Sequence, residues 1–136
     1  MPARIALLPL SMGLLLLAGC AQQLEVHQIT SAQVTVQPDS DDASGRALSG
    51  DQLTALTAWI KTHTHCSGMS ADIPQHPALQ FQLQDSSGMS DRLSVYEHTD
   101  GAATFYLYQG ERLAPLRCHV SAADLARLKS AIGQAP

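Results

Sequence analysis

At 136 residues, 45% of them hydrophobic and 15% charged, the chain suits one small domain with a modest core and leaves too little for two. Twelve acidic residues against eight basic ones give a net charge of −4, which disfavours nucleic acid and anionic membrane surfaces as partners.

The first stretch reads as an address. Arg4 supplies a minimal positive start, and the apolar run from Ile5 to Leu17 is too short to span a bilayer comfortably. Small residues and a cysteine close it. Leu17-Ala18-Gly19-Cys20 resembles the lipobox of bacterial lipoprotein precursors, a resemblance confined to this N-terminal segment. It implies export, lipid transfer to the Cys20 thiol, removal of residues 1–19 as a signal peptide, and acylation of the new terminus. Ala21 in place of an aspartate after the cysteine implies an outer-membrane, lipid-anchored protein facing the periplasm. Residues 20–23 are then the lipid tether, and residues 24–136 a single small periplasmic domain. Loss of Arg4 takes the charge to seven basic against twelve acidic, a net −5, so attachment to the membrane comes from the lipid alone.

With Cys20 lipidated, Cys66 and Cys118 remain, in a compartment that favours disulfides. A bridge between them would close a loop of about 50 residues and contribute about 4 kcal/mol in the chain-entropy picture. The rival reading is two free thiols or metal ligands.

Within the domain, Leu24 to Gln37 reads as one or two strands, because Leu24/Val26 and Ala32/Val34/Val36 alternate with polar residues. Residues 38–47 are acidic and rich in breakers, and read as a flexible loop. Ser49 as N-cap, Gln52 three residues on, and Leu48 facing Leu53 start a helix that carries Leu53, Leu56, Trp59 and Ile60, with Ser67-Gly68 as its stop. Leu79 to Gln84 alternates as a strand with its glutamines outward. Asp85-Ser86-Ser87-Gly88 turns into a strand over about 91–98, and Thr99-Asp100-Gly101 turns into another over about 103–109.

The second of these turns sets a register. A two-residue loop at Asp100-Gly101 would mix apolar residues and tyrosines on both faces. A three-residue loop with Gly101 left-handed gathers Leu93, Val95, Ala103, Phe105 and Leu107 on one face. It leaves Ser94, Tyr96, His98, Thr104, Tyr106 and Tyr108 on the other, and this is the register expected. Leu116, Cys118 and Val120 then alternate inward on a last strand, where Pro115 suggests an edge or a bulge. Ser121 caps a second helix bearing Leu125, Leu128 and Ile132, stopped by Gly133. The fold expected is α+β, an antiparallel sheet of four to five strands with two helices packed on one face.

Candidate chemistry is sparse. His63, His65 and His119 around Cys66 and Cys118 could bind copper or zinc, although His63-Thr64-His65 matches no recognised zinc spacing and a helix would point its two imidazoles apart. Cys66 with His63 or His119 as base would need a free, low-pKa thiolate. The sequence carries no serine elbow, Ser-x-x-Lys pair, His-Glu-x-x-His motif or phosphate loop, so the expectation is a non-enzyme without a cofactor. Tyr96, His98, Tyr106 and Tyr108 form a candidate partner surface, since tyrosine offers large contact area with few rotamers to freeze. Plain β-propensity accounts for the same tyrosines. Together these readings point to a lipid-anchored module that binds another envelope or secreted protein, of inhibitor, immunity or assembly-accessory type. The alternative is a periplasmic copper- or zinc-binding lipoprotein.

Overall fold

The computed structural model describes residues 21–22, 28–63, 66–67, 72–110 and 114–134, with residues 21–22 described in backbone only. Among them, strands run over β1 (Ala21–Gln22), β2 (Ile29–Val36), β3 (Gly45–Ala47), β4 (Cys66–Ser67), β5 (Leu79–Asp85), β6 (Ser90–Glu97), β7 (Ala103–Tyr108) and β8 (Leu116–Val120). Helix α1 (Gly50–Thr62) lies between β3 and β4, and α2 (Ala122–Ala131) follows β8. The strands form one sheet in the order β1-β4-β8-β7-β6-β5-β2-β3, antiparallel at every pairing.

The α+β class, the two helices and the single antiparallel sheet are as the sequence suggested. The strand number is not: eight strands replace the expected four to five. The surplus is short, since β1 and β4 have two residues each and β3 three, too few to show a period of two. β3 also lies inside the stretch read as a loop, pairing Gln33 with Ala47 and Thr35 with Gly45.

The central register follows from turn chemistry. Gly101 has φ +86°, its N–H donates to the His98 carbonyl, and the His98 N–H donates to the Ala102 carbonyl, giving a three-residue loop with a left-handed glycine. Leu93 therefore faces Leu107, and Val95 faces Phe105. The β5–β6 turn has the same form, with Gly88 at φ +83° and Asp85 bonded to Met89. Asp85 is buried, and its Oδ1 accepts from the backbone N–H of Ser87 and of Met89, which closes the turn from inside.

Inward side chains of β2 and β5 to β8 join Leu56, Trp59, Ile60, Leu125, Leu128 and Ile132 in one buried cluster. Each fully buried Leu or Phe there contributes roughly 2 kcal/mol of apolar burial. β2 enters through a bulge between Ile29 and Ser31, which keeps Ile29 inward with Ala32 and Val34 despite the odd spacing. Val36, expected inward, is 41% exposed at the strand's end.

Chain reach shows that the sheet is coiled. Gln22 and Ile29 are seven residues apart, so they lie within about 25 Å of each other. In a flat sheet β1 and β2 would be six strand spacings apart, about 29 Å. The sheet must therefore curl rather than lie flat.

The helices are antiparallel and fastened at both ends. Ser49 and Gln52 make the full capping box at the start of α1, and the Ser121 hydroxyl accepts from the Asp124 N–H at the start of α2. α2 ends in a Schellman cap: Gly133, at φ +74°, donates to the Ser130 carbonyl and Gln134 donates to that of Lys129. The Ile132 carbonyl is taken by Arg46 Nη2 at 2.6 Å and Gln52 Nε2 at 3.3 Å, which joins β3 and the start of α1 to the end of α2.

Two readings are corrected here. α1 stops at Thr62 with His63 as C-cap, short of Ser67-Gly68, because Cys66-Ser67 is drawn into the sheet beside β8. Pro115 precedes β8 rather than marking an edge or a bulge, and β8 is interior, between β7 and β4.

Candidate functional site

Cys66 and Cys118 stand directly opposite each other on β4 and β8, and their sulfurs are bonded. Both are buried, at 2% and 1% exposure, so the bond is part of the core. It fixes β4, which follows α1, to the strand that feeds α2.

Beside it lies a polar cluster inside the helix layer. His63 is 8% exposed, with its ring 4.1 Å from that of Trp59 and 5.5 Å from that of Phe105. Its Nδ1 lies 2.8 Å from the Trp59 carbonyl; a carbonyl oxygen only accepts, so Nδ1 carries the hydrogen. Its Nε2 is buried without a hydrogen-bond partner, 3.7 Å from Asp124 Oδ2. Trp59 Nε1 donates to the Asp124 carbonyl at 2.8 Å, and Arg127 holds Asp124 Oδ1 at 3.1 Å. The cluster ties the end of α1 to the start of α2.

The three histidines considered for metal do not converge. His63 points into the helix layer, whereas His119 is exposed on β8 and alternates with the buried Cys118 and Val120. The sheet separates them. His65 and Cys20, with the whole of residues 1–20, lie outside the described residues. Among the described residues no group of three His, Cys, Asp or Glu side chains could hold a metal ion. With both sulfurs bonded, Cys66 has no thiolate to offer as nucleophile.

The tyrosines lie together on the sheet's outer face, opposite the helices. Tyr106 faces Ser94 on one side and Arg117 on the other, Tyr96 faces Thr104, and Arg92 faces Tyr108. The Tyr96 and Tyr106 rings meet edge to face at 5.5 Å, and the Arg92 guanidinium lies 4.3 Å over the Tyr108 ring. Small Ser94 and Thr104 beside the rings leave room for them to lie down against the sheet. Tyr106 is consequently 2% exposed, so it supports the face rather than presenting contact area. Tyr96 and Tyr108 are half-buried, and His98 is exposed with its Nε2 2.9 Å from the Thr104 hydroxyl. That hydroxyl is itself buried, which denies it a nucleophile's access.

Burial raises the Tyr96 phenol above its ordinary value; Tyr108, Tyr106 and Asp39 push the same way, and Arg92 opposes them. Asp39 stands at the rim of the face, with Oδ2 2.9 Å from His76 Nδ1. The sequence reading missed Arg92 and Arg117. Strand parity carried the signal, because the alternation that turns the tyrosines outward turns both arginines outward as well.

A concavity of about 770 Å³ lies between α1 and β2, lined by Ile29, Leu53, Thr57, Ala58 and Lys61 among others. No described helix is long and apolar enough to cross a membrane.

No protein-family model matches the chain, and no solved structure matches it. Among curated proteins, the chain is similar to a protein of Polaromonas sp. (strain JS666 / ATCC BAA-500) named "Alanine racemase", with 27% identity over 109 residues. The matched stretch is 79% of this chain and 30% of that protein, so the chain spans under a third of its relative's length.

Proposed function

We propose that the protein is a lipid-anchored, non-enzymatic periplasmic module that binds another envelope or secreted protein through the outer face of its sheet. The observation that carries this reading is that face. Tyr96 packs edge to face on a buried Tyr106 and Arg92 stacks on Tyr108, so these side chains are already held before any partner arrives. Side chains held in this way lose little entropy on binding, and tyrosine and arginine dominate the energetics of protein interfaces. A disulfide buried in the core fits a domain that works in an oxidising compartment, as the lipobox-like start implies. Inhibitors of wall hydrolases, immunity proteins and assembly accessories share this build.

The likeness to a racemase covers too little of that protein to bring its activity here. D-alanine formed from L-alanine by the purified chain above background would replace the interaction reading.

The reading is tested by crosslinking the tagged protein in intact envelopes and identifying what it captures. Tyr108→Ala should lose the captured partner while remaining folded; undiminished capture would remove this face from the proposal. Tyr106→Ser is unsuitable as a probe, because emptying a buried ring site costs roughly 3 kcal/mol of stability by itself.

A further inference from the structure

The outer face is segregated by charge. Among the described residues, the outward positions of β2 and β5 to β8 are filled by Ser, Thr, Gln, Tyr, Arg and His, with no aspartate or glutamate, although the chain as a whole is acidic. Asp39 borders the face at its rim, paired with His76, whereas Asp91, Glu97 and Asp124 lie off it. Asp91 accepts from the Gly110 N–H, Glu97 pairs with Lys129, and Asp124 pairs with Arg127. Of the described cations, Arg127 and Lys129 are committed to these carboxylates and Arg46 to a helix end. Arg92 and Arg117 are exposed, and neither has a carboxylate partner among the described residues.

Register places these two arginines two strands and two residues apart, so their Cα atoms are about 12 Å from each other. Tyr106 and Tyr108 lie between them, and His119 lies two residues from Arg117 on the same strand. The five outward-facing strands span only about 24 by 20 Å, less than the roughly 800 Å² per partner of a standard protein interface. On a face of this size charge contacts carry a large share of the affinity. A planar guanidinium already stacked on a ring has its fork pre-aimed, and the ligand that fits such a fork is a carboxylate.

We infer that the partner docks an acidic protein segment on this face, with its carboxylates taken by Arg92 and Arg117 across the tyrosines. The inference rests on the interaction reading and deepens it. The rings favour a polypeptide over an anionic polysaccharide, because they offer apolar planes beside the two charges.

The test uses the full chain with poly-L-glutamate as probe and alginate as the anionic polysaccharide. Poly-L-glutamate should bind at low salt and weaken about tenfold on raising NaCl from about 50 to about 300 mM. The exposed pair Arg92→Glu and Arg117→Glu should weaken it at least as much, with the melting temperature unchanged. Binding indifferent to charge reversal, equal or tighter binding of alginate, or no binding of poly-L-glutamate would each overturn the inference. Envelope crosslinking separates the two levels. A partner captured equally by wild type and the charge-reversed protein sinks the acidic-segment inference and leaves the interaction reading standing. No partner with either protein sinks both.

Discussion

The tyrosines show how far a single residue's role depends on its neighbours' sizes. Alternation put Tyr96, Tyr106 and Tyr108 on one face correctly, because parity is a property of the strand alone. It could not show that Tyr106 is buried, since that depends on small Ser94 across one strand and on the rings and arginines around it. The same crowding gives Tyr96 a measurable signature. Its phenol is raised above the ordinary value near 10, chiefly by burial, so the folded protein holds that proton more tightly than the unfolded chain does. The stability Tyr96 contributes is fully present below the unfolded pKa and is lost as pH rises through the folded one. Urea unfolding at about pH 8 and about pH 11 should show the wild type losing more stability over that interval than Tyr96→Phe. Equal losses would mean that the ring titrates as it does in the unfolded chain.

Elements were legible where their signal is local. Ser49 with Gln52, and Ser121 with Asp124, are chemistry within one turn of helix, and both starts form as the sequence reads. Gly101 could be assigned a left-handed turn because only one loop length keeps Leu93, Val95 and Phe105 together. The end of α1 was misread for the opposite reason. Ser67-Gly68 is a sound local stop, but the sheet captures Cys66 first, a long-range pairing with Cys118 that no local pattern announces. β4 has only two residues, so the bond between the two cysteines is what holds this edge of the sheet in place. Replacing both cysteines by alanine should cost about 4 kcal/mol, as expected for a loop of this length. In hydrogen exchange the amides of β4 should lose protection first, while β5 to β7 keep theirs. A loss below about 1 kcal/mol, or uniform deprotection, would show that β4 is held by the ladder without the bond.

At the scale of the whole molecule, the coiling of the sheet and its eight strands follow from where the two sheet-edge strands land, and β1 and β3 are too short to carry a readable period. The acidic total likewise conceals a face without carboxylates, because net charge averages over what the strands separate. These features bear on how the protein meets a membrane. On the proposed reading, a lipid on Cys20 supplies the attachment. Two or three acyl chains suffice for that, at about 0.8 kcal/mol for each buried methylene, whereas one chain binds only weakly and reversibly. The wild type should therefore fractionate with membranes through a high-salt wash and incorporate labelled palmitate. Cys20→Ala should appear in the soluble fraction, unlabelled. If Cys20→Ala stays with the membrane after a salt wash, attachment comes from the domain or from its partner. Repeating the wash with Arg92→Glu and Arg117→Glu added to Cys20→Ala then tells the two apart, because release by charge reversal would place the membrane contact on the outer face.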